Sequence, residues 1–166
     1  MENANWLILP VAATVPLLLG FIWYHPQVLG TALAKVTGQS IQQITNYSAK
    51  RIGFTYLFGL LMAYIVFACS VHQYAVFQLF MGEESLGVAG SQMNTFMSDF
   101  NETYGDRHRS FFHGVIHGME ASLLFGFAFL GISTFMESAP MKRMWIHLGY
   151  FVLCGGIMGG IICAFM

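Results

Sequence analysis

Four apolar runs, at residues 6–24, 52–71, 111–135 and 144–164, divide the chain, and the second carries on with few polar interruptions toward residue 80. Each approaches the length of about 20 residues that an α-helix needs to cross a hydrocarbon core of about 30 Å. The pattern predicts an all-α fold, a four-helix transmembrane bundle forming one integral membrane domain over residues 1–166, with spans at about 6–24, 52–80, 111–135 and 144–164. In the first connection, Val28, Leu29, Leu33 and Val36 recur at roughly helical spacing, Thr37-Gly38-Gln39 interrupts them, and a second short stretch follows at 41–44. That is the signature of a short interfacial helical segment. The connection at 81–109 is long, polar and acidic, with scattered Phe96, Phe100 and Tyr104.

Composition strengthens this picture. Hydrophobic residues make up 56% of the chain and charged residues 9%, against about 25% charged in a soluble domain; mean hydropathy is +0.61. A net charge of −1 argues against a nucleic-acid partner. The segment before Trp6 carries Glu2 and no Lys or Arg, and the first run ends in Trp23-Tyr24-His25-Pro26. An interfacial aromatic pair and a helix stop predict a retained helix, not a cleaved signal peptide. Cys69, Cys154 and Cys163 all fall within apolar runs without Cys-x-x-Cys spacing, so they read as packing residues. Lys35, Lys50, Arg51, Lys142 and Arg143 lie in two connections, whereas the long connection has only Arg107 and Arg109 beside five acidic residues. The positive-inside bias predicts both termini on the external side.

Inside lipid, close helix packing depends on small residues. Gly114, Gly118, Ser122 and Gly126 recur every four residues in the third run, as do Gly156, Gly160 and Ala164 in the fourth, with Gly155 and Gly159 alongside. These stripes predict that the last two spans pack together. Pro10 and Pro16 predict a kinked first span.

The chemistry concentrates in the third run. A carboxylate in mid-span costs roughly 2.5–3.5 kcal/mol on insertion scales, so Glu120 is expected to face protein or a wet cavity. At 100° per residue, His113, His117 and Glu120 share one face, joined by Asp106 and Arg109 if the helix starts early, and this stripe is expected beside the glycine stripe. Two histidines one turn apart plus a carboxylate form a partial ligand set for Zn or Fe. His72, at the outer end of the second span, is level with His113 and is the expected further ligand; His108 belongs to the same layer. His25 and His147 form an inner pair, read as interfacial anchors. Alternatives for the stripe are a structural hydrogen-bond network, a proton relay ending at Glu120, and haem ligation by histidines of different spans.

The opening Asn5-Trp6 and the run Gly20-Phe21-Ile22-Trp23-Tyr24-His25-Pro26, with Phe135-Met136-Glu137, Gly149-Tyr150 and the glycines of 155–160, resemble a bacterial family of small four-helix membrane proteins catalogued as a domain of unknown function. The resemblance covers nearly the whole chain and implies a multi-pass protein of the bacterial inner membrane; it implies no activity. Two functional classes follow: an accessory or scaffold subunit of a membrane assembly, contacting the lipid bilayer and other subunits or a second copy, or a metal-binding or proton-handling protein built on His113, His117, Glu120 and His72.

Overall fold

The computed structural model describes residues 4–166, which hold nine α-helices and no strand. The first apolar run is split into α1 (Ile8–Ala12) and α2 (Val15–Trp23). Pro16 cannot donate to the carbonyl one turn earlier, so the helix is interrupted at Ala13 and Thr14. The Thr14 hydroxyl donates to Val11 O at 2.8 Å, and Tyr56 donates to Pro10 O at 3.3 Å. From Ile8 to Trp23 the rod is only about 24 Å long at 1.5 Å per residue. A π-helical turn over Pro26–Gly30 leads into α3 (Thr31–Thr37), and the chain bends by 58° between the two halves.

The first connection then folds as its periodicity predicts. Gly38 ends α3 with φ +70°, a left-handed conformation that glycine adopts at little cost. Ser40 and Gln43 close a capping box on α4 (Ile41–Ile44). Leu33, Ile44 and Ile146 bury this small subdomain against the last helix.

Three helices are long and apolar enough to cross a membrane: α5 (Ala49–Ser70), α8 (Phe111–Met136) and α9 (Met141–Phe165). A fourth span results if the bent pair Ile8–Trp23 and Pro26–Thr37 is counted as one. The second run is not continuous to residue 80. It breaks at Val71, with φ −102° and ψ 89°, and restarts as α6 (His72–Leu79). The long connection is largely helical as well, containing a 3-10 turn at Glu84–Gly87 and α7 (Gln92–Tyr104).

The last helix, α9, is the hub. It packs against α1, α2, α3, α5 and α8, and Tyr150, Cys154, Met158 and Ile162 meet Ala12, Val15, Ala63, Val66 and Phe67 in the main core. The Trp23 indole donates to Ile146 O at 3.0 Å and Tyr150 to Pro16 O, tying α2 to α9. Asn5 N donates to Met166 O at the other end. The α8–α9 hairpin is antiparallel and glycine-packed. A Cβ at Gly114 would strike Gly159 O, and one at Gly118 would strike Gly155 O; Gly155 also abuts Ser122. The facing row on α9 is thus Gly155 and Gly159. Gly156 sits under Met119 and Gly160 under the Phe111 ring, so the row 156/160/164 flanks the seam without forming it.

Gly118→Ala forces two backbones apart, whereas Gly131, with open space around its would-be Cβ, accepts alanine freely. The expected cost at Gly118 is about 1–3 kcal/mol, the range for overpacking, while Gly131→Ala is neutral or stabilising by up to about 1 kcal/mol through helix propensity. Thermal unfolding in mild detergent, comparing the two variants, checks this.

Candidate functional site

Four imidazoles meet where α5, α6 and α8 come together. Three local devices deliver them. The break at Val71, whose side chain is fully buried, turns the chain so that His72 opens α6. Ser110 caps α8 by accepting from the backbone N–H of His113, which fixes the helix start at Phe111 and sets His113 one turn before His117. His108 lies on the preceding turn with φ 63°, an uncommon left-handed backbone for a residue with a Cβ.

That strained turn is held from two sides. The buried Gln73 amide donates to Tyr104 O at 2.8 Å and Arg107 O at 2.9 Å. Cys163 Sγ donates to His108 O at 3.3 Å, while Arg109 Nε donates to Cys163 O at 3.1 Å. The role of Cys163 is therefore packing plus anchoring, consistent with three free cysteines.

The resulting geometry is tight. His113 Nε2 lies 3.1 Å from His72 Nε2. Ring centroids are 4.9 Å apart for His72 and His117, and 4.5 Å for His113 and His117. His108 stacks on His113 at 5.1 Å with planes 20° apart. One ligand atom from each of His72, His113 and His117 falls within 4.8 Å of the others. His72 is exposed and the other two rings are half-buried. Partial desolvation, with His117 and His108 close by, holds His72 below the usual imidazole range. It therefore stays neutral near pH 7, the form that ligates a metal.

Glu120 departs from expectation. Its carboxylate stands 3.5 Å from His117 Nδ1, but the side chain is 61% exposed and points out of the helix cluster. The reason is rotational. Glu120 follows Gly118 by two residues, about 200° around the helix, so the face carrying Gly118 into α9 turns Glu120 away from it. His113 and His117 share that outer face, about 140° and 100° from Gly118; α6 brings His72 onto the histidines, whereas Glu120 is left largely uncovered. Asp106 and Arg109 also leave the stripe, because α8 starts at Phe111. Arg109 serves the Cys163 carbonyl instead.

The inner histidines do not pair with each other. His147 Nδ1 is 3.0 Å from the Tyr24 hydroxyl, and His25 Nδ1 accepts from Gln27 N at 3.3 Å, capping the π turn. Glu137 is bonded by Arg143 at 2.9 Å and by Ser133 at 3.1 Å. The Arg143 guanidinium holds its carboxyl below the usual range.

Gln73 and Cys163 carry no chemistry of their own, yet the site's shape depends on them. Gln73→Ala leaves two backbone carbonyls without their donor; the expected loss is about 1–3 kcal/mol. Limited proteolysis across residues 81–109 should accelerate in this variant relative to wild type.

The comparisons with known proteins leave the chemistry to be argued from this geometry. No curated protein and no solved structure matches the chain. A family model described as "Protein of unknown function (DUF1761)" matches residues 7–163. An all-helical chain whose apolar helices and Trp-Tyr-x-Pro turn run almost end to end through that match belongs to this family of unknown function.

Proposed function

We propose that this protein is a four-helix protein of the bacterial inner membrane that binds one divalent transition metal, with His72, His113 and His117 as ligands. The observation that carries the reading is the 3.1 Å separation of His113 Nε2 from His72 Nε2, with His117 converging on both. In a tetrahedral site with metal–nitrogen bonds of about 2.0–2.1 Å, ligand nitrogens stand about 3.3 Å apart. Two neutral imidazoles brought this close gain one hydrogen bond; an ion between them would satisfy both lone pairs. Three imidazoles suit Zn and Fe(II).

Glu120 takes a supporting role here. With its carboxylate beside Nδ1, His117 is left to ligate through Nε2, the arrangement in which a carboxylate orients a metal-bound histidine. His108, stacked on His113, limits that ring's rotation. Because His72 is exposed, solvent or an external ligand would have access to an ion held there. A bound ion there would act as a Lewis acid or hold a water or an external ligand.

Metal-free protein titrated with Co²⁺ or Zn²⁺ in mild detergent is expected to bind about one equivalent, Co²⁺ giving the absorption of a tetrahedral centre. His113→Ala and His117→Ala abolish binding, Glu120→Gln weakens it about 10–100-fold, and His25→Ala leaves it unchanged. Failure of the wild type to bind either ion overturns the proposal.

A second reading, an accessory or scaffold subunit, is favoured by one observation. Glu120 lies nine residues into a candidate span, about 14 Å along the helix, with most of its side chain uncovered. Lipid is a costly surrounding for a carboxylate, and a neighbouring subunit or a second copy over α8 relieves that cost. With the basic connections inside, both termini and the histidine cluster face outward. Cysteine crosslinking from Leu124 in intact membranes is expected to trap α8 against another chain; a monomer-only result removes this reading while leaving the metal site standing.

A further inference from the structure

A cavity of about 310 Å³ opens at the end of the molecule opposite the histidine cluster, walled by α2, α3, α4, α5 and α9. We propose that it is a binding site for the headgroup of an anionic phospholipid. The proposal rests on the helices being membrane-embedded and is independent of the metal site.

Charge is the first argument. Arg51 lines the cavity, and none of the lining residues is acidic. The sequence in fact contains no Asp or Glu between Glu2 and Glu83. Parallel α5 and α9 bring Lys50, Arg51, Lys142 and Arg143 to one end, against Glu137, which is bonded to Arg143. A site with one uncompensated cation at such a basic end favours an anion over a neutral or zwitterionic head.

The donors of Arg51 are the second argument. Its Nη1 bonds Gln43 O at 3.1 Å and Ile44 O at 2.9 Å, closing the end of α4. A guanidinium carries five N–H groups, so among the described residues Nε and Nη2 have no hydrogen-bond partner. These two nitrogens form the fork that grips a phosphate bidentately. The bonds already made fix the guanidinium in place, so little side-chain freedom is left to lose on binding.

The lining grades from polar to apolar as a lipid does. Gln39, Gln43 and Arg51 line the cavity from the α3–α4 connection, α4 and the start of α5, and Pro16, Leu17 and Phe21 of α2 supply an apolar wall. Phe21 is braced by Tyr47, ring centroids 4.4 Å apart. Deeper in, the Tyr24 hydroxyl lies 3.0 Å from His147 Nδ1; when the tyrosine donates, the ring proton resides on Nε2 and is free for an ester carbonyl. The volume holds about ten groups of water size at about 30 Å³ each. That suffices for a phosphate and glycerol backbone, while acyl chains leave along the apolar wall into the bilayer.

Native mass spectrometry of delipidated, metal-free protein titrated with phosphatidylglycerol, phosphatidylcholine or a quinone checks the assignment. Wild type is expected to bind phosphatidylglycerol about tenfold more tightly than phosphatidylcholine, and Arg51→Gln to lose that preference. Lys50→Gln, outside the cavity, retains it. Because Arg51 also holds α4, Thr55→Trp serves as a second variant: it fills the lining and leaves every Arg51 bond intact, and it too should lose tight binding. Equal affinity for the two phospholipids, preferential uptake of the quinone, or unchanged phosphatidylglycerol binding by Thr55→Trp overturns the proposal.

Discussion

Backbone-to-backbone contact between α8 and α9 is the constraint on which the molecule is built. In lipid, apolar side chains gain nothing by leaving one hydrocarbon for another, so helices associate where their backbones can touch. Gly114 and Gly118 meet Gly159 and Gly155 with no room for a methyl group between them. Contact this close fixes rotation as well as distance. Once Gly118 faces α9, the face shared by His113, His117 and Glu120 is turned away from it, where α6 brings His72 onto the histidines and Glu120 stays uncovered. The candidate metal site and the uncovered carboxylate are thus two consequences of one packing decision.

The remaining supports act at the ends of the hairpin. At one end, Cys163 and Gln73 secure the left-handed turn at His108 by bonding its carbonyl and its neighbours'. At the other, Trp23, Tyr24 and Tyr150 bind α2 to α9 while Arg51 closes α4. Polar bonds at the ends and bare backbone in the middle reflect where water is available to compete. Both candidate ligand sites lie at these ends, where side chains with polar atoms are affordable.

Much of this was legible in the sequence because lipid imposes a coarse rule, about 20 apolar residues per crossing, and because small residues every fourth position announce a seam. The interruption at Gly38 and the proline-split first helix were equally readable, since glycine and proline act locally. The break at Val71 was not. Val71-His72-Gln73-Tyr74 contains no breaker, and the helix ends there because Gln73 is drawn to carbonyls more than 30 residues away. For the site, helical arithmetic correctly grouped His113 with His117 and depth placed His72 and His108 beside them. What it missed was direction: a stripe has a neighbour only once the partner helix is known, and the face of α8 that holds Glu120 proved to be the one α9 leaves bare.

The first apolar segment carries a consequence for its surroundings. Between Ile8 and Trp23 it measures some 6 Å less than a typical hydrocarbon thickness of about 30 Å. It reaches the length of a candidate span only with the bent continuation through Pro26–Thr37; were the first half to cross alone, acyl chains beside it would have to compress or admit water, at a modest penalty for each ångström of mismatch. A protein crossing in that way would be most at ease in a thin bilayer, and it would lower the barrier that a polar headgroup meets when tilting inward alongside it.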